Sequence, residues 1–392
     1  MKIDLFSFSF VGFMMLWLLG LWPCMALADP PRVIVQRVPQ GGVQPQVGVD
    51  AAGRVHLIYL KGDASQSDIF YVRSDNSGAT WSEPILVNSQ AGSALAIGNV
   101  RGAHIAIGRQ GRVHVAWMGS KTAEPKAPDD TAPMLYTRLA EDGKSFEPQR
   151  NIVRAHPGLD GGGSVAADDS GNVFVAWHAP TVPKTGEQNR RIWITRSTDD
   201  GGTFATEVPV SDSSTGACGC CGMRLISAGG RLFALYRGAS KQINRGMYLI
   251  DVSADLATWH DREIAPMKMG MCVMSTSALF APSRGVLAAW ETSDHVFWSN
   301  FDPMAPDARN MHPVPESGRA QKHPAIAANA DGLVLVSWAE GTGWNKGGSV
   351  CWALFDSMGH EVPNSAGRVE DLPAWDTPVN IIRADGSFFL LY

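Results

Sequence analysis

A motif that recurs seven times constrains this chain more than anything else in it. Each copy is a short apolar strand, a turn at or near glycine, and a second apolar strand closing on Trp or Tyr. The clear copies are VGVDAAGRVHLIY ending at Tyr59, IAIGRQGRVHVAW at Trp117, VAADDSGNVFVAW at Trp177 and RLISAGGRLFALY at Tyr236. Weaker ones end at Trp290, Trp338 and Tyr392. Hairpins repeated every fifty to sixty residues or roughly so are the pattern of a β-propeller, because one such sheet cannot bury both faces until neighbours stack on it. The expected fold is therefore all-β, a single propeller of seven four-stranded blades, with six blades as the alternative.

A chain of 392 residues has room for two or three domains, but the repeat runs through nearly all of it and argues for one. Net charge is −5, with no basic footprint, so nucleic acid is not an expected partner. Lys2, the apolar run from Leu5 to Trp22 and the small-residue site Ala26-Leu27-Ala28 read as a signal peptide over 1–28, leaving 29–392 as the propeller. The expectation is an exported, periplasmic or extracellular monomer with no stable membrane insertion after cleavage. Five cysteines then remain, in a compartment that favours disulfides.

Each unit continues with a third strand, such as IFYVRS at 69–74 or IWITRS at 192–197, and a fourth, such as EPILVN at 83–88. Between them lies a second motif. Ser197-Thr-Asp199-Asp-Gly201-Gly-Thr203-Phe204 fits Ser-x-Asp-x-Gly-x-Thr-aromatic in full, and Ser74 to Trp81 fits with Asn76 in the Asp position. Glu141 to Phe146 and Ser253 to Trp259 are shorter copies. The physical reading is a tight turn in which Asp or Asn caps its own backbone, Gly takes a left-handed conformation and the aromatic plugs into the blade. This motif resembles the Asp-box of the sialidase-like propellers, and the resemblance covers essentially the whole chain after residue 28. It implies the fold and a carbohydrate or glycoconjugate partner.

The seventh hairpin, Asp376 to Tyr392, has only two strands, while Arg32–Val38 looks like an orphan fourth strand. Joining the two in one blade would close the ring and remove its free edges.

The first strand of each blade should line the central channel, so the residues leading into it are candidates for function. Blades four and five are entered through Cys218-Gly-Cys220-Cys221-Gly-Met223 and Met267-Lys-Met269-Gly-Met271-Cys272-Val-Met274. Thiols and thioethers side by side suit copper(I), with Cys218, Cys220, Cys221, Cys272, Met223 and His323 as candidate ligands. The same residues allow one or two disulfides with Met as filler, or a redox-active thiol. Cys351, in a third strand, reads as a buried free thiol.

The sialidase resemblance implies a three-arginine carboxylate grip and a Tyr nucleophile. Here Gln44-Pro45-Gln46 stands where the first arginine would be, and all six tyrosines belong to second or third strands. No catalytic residue is carried over, and sialidase activity is not expected. Arg101, Arg224 and Lys322 lie near first-strand lead-ins and could hold an acidic ligand. Glu291, Glu340 and Asp376 emerge near the same rim, where two carboxylates flanking a bond are the equipment of glycoside cleavage. Trp344 and Trp375 fall outside the repeat and could stack on a sugar ring. Carbohydrate recognition, with or without hydrolysis, soft-metal binding and a protein-interaction scaffold are the three readings the sequence leaves open.

Overall fold

The computed structural model describes residues 33–182, 185–241, 243–302 and 310–392. The proposed signal segment, 1–28, lies outside the described residues. Within them, no helix is long and apolar enough to cross a membrane.

Seven sheets form a closed ring. The first strands of blades one to six are Val43–Val49, His104–Ile107, Gly163–Ala167, Arg224–Ala228, Ala278–Phe280 and Gln321–Ala328, each opening a four-stranded antiparallel meander. Blade seven holds Val379–Ile382 and Phe388–Leu391 from the end of the sequence and Val33–Gln36 from its start. This is the expected closure, with one difference. Val33–Gln36 sits in the third position, directly beside Phe388–Leu391, and runs parallel to it. A fourth strand runs parallel to a second strand in any antiparallel meander. The N-terminal strand thus keeps the direction of a fourth strand but moves one place inward, where no third strand intervenes. The Tyr392 carbonyl accepts Val38 N–H at 2.8 Å and Tyr392 N–H donates to Gln36, which ties the two ends.

The alternating pattern places apolar faces between blades, so the core is a set of inter-blade clusters. The seven closing aromatics are buried, and each packs in one sense around the ring. Trp117 lies among Ile58, Leu60 and Tyr71 of blade one, and Trp177 among Ala116, Met134 and Tyr136 of blade two. Tyr236 meets blade three, Trp290 blade four and Trp338 blade five. Tyr392 meets blade six, and Tyr59 completes the circle against Ile381, Phe389 and Leu391 of blade seven. Burying one such ring contributes about 1.5–3 kcal/mol.

The turns between third and fourth strands repeat this sense on the outside. In blade three, Ser197 Oγ donates to Asp199 Oδ1 at 2.7 Å and accepts Gly201 N–H at 2.8 Å, while Thr203 N–H and Oγ1 both donate to the Asp199 carboxylate at 2.8 Å. Blade one builds the same loop from Ser74, Asn76, Gly78 and Thr80. The aromatic that follows packs on the previous blade: Phe204 sits edge-on to Tyr136 at 4.8 Å and Phe146 edge-on to Tyr71 at 5.5 Å. The blade into which each ring plugs is the preceding one, so these rings are rivets between blades.

Two substitutions separate these contributions. Trp177→Ala is expected to cost about 3–5 kcal/mol through the cavity it opens. Asp199→Ala, which removes a solvated cap, is expected to cost about 1–2 kcal/mol. Urea denaturation of both variants checks the order, and a larger loss at Asp199 would contradict it.

Candidate functional site

The first strands enclose a central channel of about 310 Å³. Its walls mix polar and apolar surface about equally, and one chain of polar side chains forms a belt across them. Arg224 donates to Gln46 Oε1 at 2.5 Å and lies 3.3 Å from His104 Nδ1, which is 2.9 Å from Ser164 Oγ. This belt crosses blades one to four. Burial depresses Arg224 to about 10, so it remains charged at neutral pH, and burial followed by the Arg224 charge holds His104 well down and neutral. Among the described residues no tyrosine lines the channel, and neither Glu291 nor Glu340 does.

Two strand lead-ins are re-aimed by bulges. Registers shift between Val43 and Gln46 and between Lys322 and Ala325. Gln44 and His323, each immediately before a proline, have φ of 53°. A bulge turns a side chain sideways from its strand. Gln44 Nε2 then bonds the carbonyls of Ala96 and Trp375, and His323 Nδ1 accepts Thr276 N–H at 3.3 Å. Both act as bolts between neighbouring blades.

One side of the mouth carries an aromatic and charged cluster. Trp344, 56% exposed, stands edge-on to Trp375 with ring centres 6.2 Å apart. Arg101 donates to the Asp160 carbonyl at 2.7 Å and to its carboxylate at 2.9 Å, which leaves the guanidinium partly open. Gly98, at φ 84°, passes beneath both groups, and a Cβ there would lie 3.2 Å from Arg101 Nη1 and from the Trp344 ring. Asp376 is buried behind Trp375. Its Oδ1 accepts Gln44 N–H at 2.6 Å and Thr377 N–H at 2.8 Å, its Oδ2 has no partner among the described residues, and burial lifts it to about 7.

A second cluster lies at the lead-in to blade four. Cys218 Sγ is 3.3 Å from Cys220 Sγ and 3.4 Å from Cys221 Sγ, and all three sulfurs lie within 4.8 Å of one another. A disulfide needs about 2.05 Å, so these are three free thiols and the expected pairing is not formed. The loop is pinned at four amides. Ala217 N–H donates to the Glu187 carbonyl, Cys218 N–H to the Arg237 carbonyl, Gly219 N–H to Glu187 Oε1 and Gly222 N–H to the Ser275 carbonyl. A Cβ on Gly219 would fall 1.9 Å from Arg190 Nη1, so the guanidinium lies directly against this glycine. Hydrogen bonds from Cys218 and Cys220, helped by the Arg237 charge, hold the Cys221 thiol well down, while Cys220 is pushed up.

The other sequence candidates are placed elsewhere. Cys272 is exposed and stands outside the thiol group. Met223 is buried in the apolar core between blades three and four, where its thioether is filler. His323 is not among the grouped ligands, and burial with the nearby Lys322 charge depresses it to about 3. Lys322 Nζ donates to the Val273 carbonyl at 2.8 Å and so anchors the methionine-rich loop. Cys351 is buried as expected.

Glu291 and Glu340 are not brought together. Glu291 is fully buried and accepts from Arg237 Nη2 at 2.8 Å; burial raises it, against the pull of Arg237. Glu340 accepts from Trp338 Nε1 at 2.8 Å, Ser317 Oγ at 2.7 Å and Arg368 Nη1 at 2.6 Å, and these donors outweigh its burial and hold it down. Each is a strut, tied up by its own partners and held away from any shared bond. Sequence reasoning missed Arg237, although its signal was present. His178, Arg237 and Glu291 each follow a closing aromatic directly, so in consecutive blades they fall side by side on the rim.

No family model and no curated protein matches this chain. Solved structures do. The NanB sialidase from Streptococcus pneumoniae superposes with a TM-score of 0.53 at 10% identity, over 88% of this chain and 71% of that one. Trypanosoma rangeli sialidase, solved with sialic acid, gives 0.51 at 15%, over 81% of this chain and 54% of that one. Penicillium chrysogenum α-L-arabinanase, solved with arabinobiose, gives 0.50 at 13%, over 82% and 95%. This chain has the sialidase-like propeller fold. At these identities the likeness is one of architecture, and this sialidase-like propeller carries its own residues at the channel.

Two variants test the roles assigned to the buried carboxylates. Glu291→Ala leaves Arg237 uncompensated and is expected to cost about 3–5 kcal/mol of stability; an unchanged urea midpoint would contradict the strut. Asp376, raised when folded, keeps its proton from about pH 4 to about 7 while the unfolded chain loses it. Stability should fall across that window and level off above it. Asp376→Asn is expected to remove up to about 4 kcal/mol of this slope. Parallel pH profiles for the two proteins would contradict the assignment.

Proposed function

We propose that this protein is an exported carbohydrate-binding propeller that recognises a glycan at the channel mouth. The observation that carries the reading is the pairing of exposed Trp344, edge-on to Trp375, with the partly open Arg101–Asp160 pair across Gly98. An exposed indole beside fixed charged hydrogen-bonding groups suits a sugar, whose ring has an apolar C–H face and a polar edge. The surface is rigid: Trp344 rests on Trp375, whose carbonyl is held by Gln44, and Arg101 is held by Asp160. The neighbours solved with sialic acid and arabinobiose place sugars on related scaffolds.

The reading is recognition rather than cleavage. Glycoside hydrolysis needs two carboxyl groups on either side of one bond. Glu291 and Glu340 are locked into separate ion pairs, and Asp376 lies beneath Trp375. A soluble ligand for this mouth, carrying either an anionic or a neutral polyol edge, would bind Arg101 directly.

A glycan array probed with the full chain is the test. Binding to a defined set of glycans is expected, lost by about tenfold or more in Trp344→Ala, a side chain exposed enough that the fold should survive. An array without signal, or one that Trp344→Ala leaves unchanged, would overturn the proposal.

A further inference from the structure

The three thiols at the head of blade four are unused by carbohydrate recognition and need their own account. They converge from four consecutive positions, Cys218 to Cys221, on a loop pinned by the amides of Ala217, Cys218, Gly219 and Gly222. Their immediate surroundings are apolar: Ala239, Met267 and Val273 are buried against them, and Met269 packs on the same cluster. Around this lies a shell of ion pairs, Arg237 with Glu291, Arg245 with Glu187 and Arg190 with Asp160. Arg237 and Arg245 are buried, and both act on the cysteines electrostatically. Arg190 fills the space under Gly219. Nε of all three arginines is buried without a hydrogen-bond partner among the described residues. His178 is likewise buried, with both ring nitrogens unpartnered, and a Cβ on Gly161 would touch both its Nε2 and the Gly219 carbonyl.

We propose that Cys218, Cys220 and Cys221 form a binding site for one copper(I) ion, held by three sulfurs in a trigonal arrangement. Three sulfurs about 2.3 Å from a central ion would stand about 4 Å apart, a small expansion from the spacing seen here. The set has no oxygen donor, has two buried sulfur residues and one half-buried one, and neighbours thioethers, which favours a soft monovalent ion over zinc(II). Zinc(II) would want a fourth, tetrahedral ligand. Three thiolates around a monovalent ion leave excess negative charge, and Arg237 and Arg245, although paired with Glu291 and Glu187, lie close enough to act on the cysteines electrostatically. Binding releases the thiol protons and involves no change in the oxidation state of the ion.

The test is anaerobic titration of the reduced full chain with copper(I) against a chromophoric copper(I) chelator. One ion per chain is expected, with affinity reduced more than about 100-fold in Cys220→Ser and unchanged in Cys272→Ser, whose thiol is exposed and outside the group. X-ray absorption of the loaded parent protein, which needs no variant, is expected to show three sulfur neighbours. No stoichiometric uptake, uptake that ignores Cys220→Ser, or a site that takes zinc(II) and not copper(I) would overturn the proposal. None of these outcomes bears on glycan binding by Trp344.

Discussion

The structure depends on one repeated contact, the closing aromatic of each second strand buried against the blade before it. A four-stranded sheet with two apolar faces is unstable alone, and the ring exists because every blade lends its aromatic backward and receives one from the next. Closure is therefore cooperative. The parallel insertion of Val33–Gln36 beside Phe388–Leu391 matters because it completes blade seven, on which Tyr59 of blade one must rest.

That rigid ring explains why function gathers at one rim. Blades fix where each first strand begins, but the lead-in segments are free to vary, and here they do so in three different ways. Between blades one and two they supply Arg101 and between blades six and seven Trp375, which with Trp344 from the hairpin loop of blade six build the aromatic and arginine mouth. Before blade four they bring three thiols together. Bulges at Gln44-Pro45 and His323-Pro324 stitch the rim so that neither site moves relative to the barrel. Asp160 stands between the two sites, bonded to Arg101 on one side and 3.5 Å from Arg190 on the other.

The fold was legible because the hairpin repeat and the Ser-x-Asp-x-Gly-x-Thr turn are local patterns that survive without knowledge of neighbours. Blade count, ring closure and the registers of the first strands followed from them. What was not legible is which side chains pair across blades. Glu291 and Glu340 looked like rim acids because they sit just past a closing aromatic, yet Arg237 and Arg368 draw them into the interior. Cys272 and Met223 looked like metal ligands by proximity in sequence, but one is turned to solvent and the other is inter-blade filler. The thiol triplet was visible as CGCC; its geometry was not, since vicinal cysteines serve a disulfide or a metal equally well until the loop is fixed.

The most direct measurement is an experimental structure of the full chain with a bound glycan taken from those it binds in solution. The account predicts a sugar ring lying on Trp344 with a polar edge toward Arg101, and Glu291 and Glu340 still in their ion pairs. A sugar seated instead between two freed carboxylates, or on the outer strands away from the channel mouth, would contradict it.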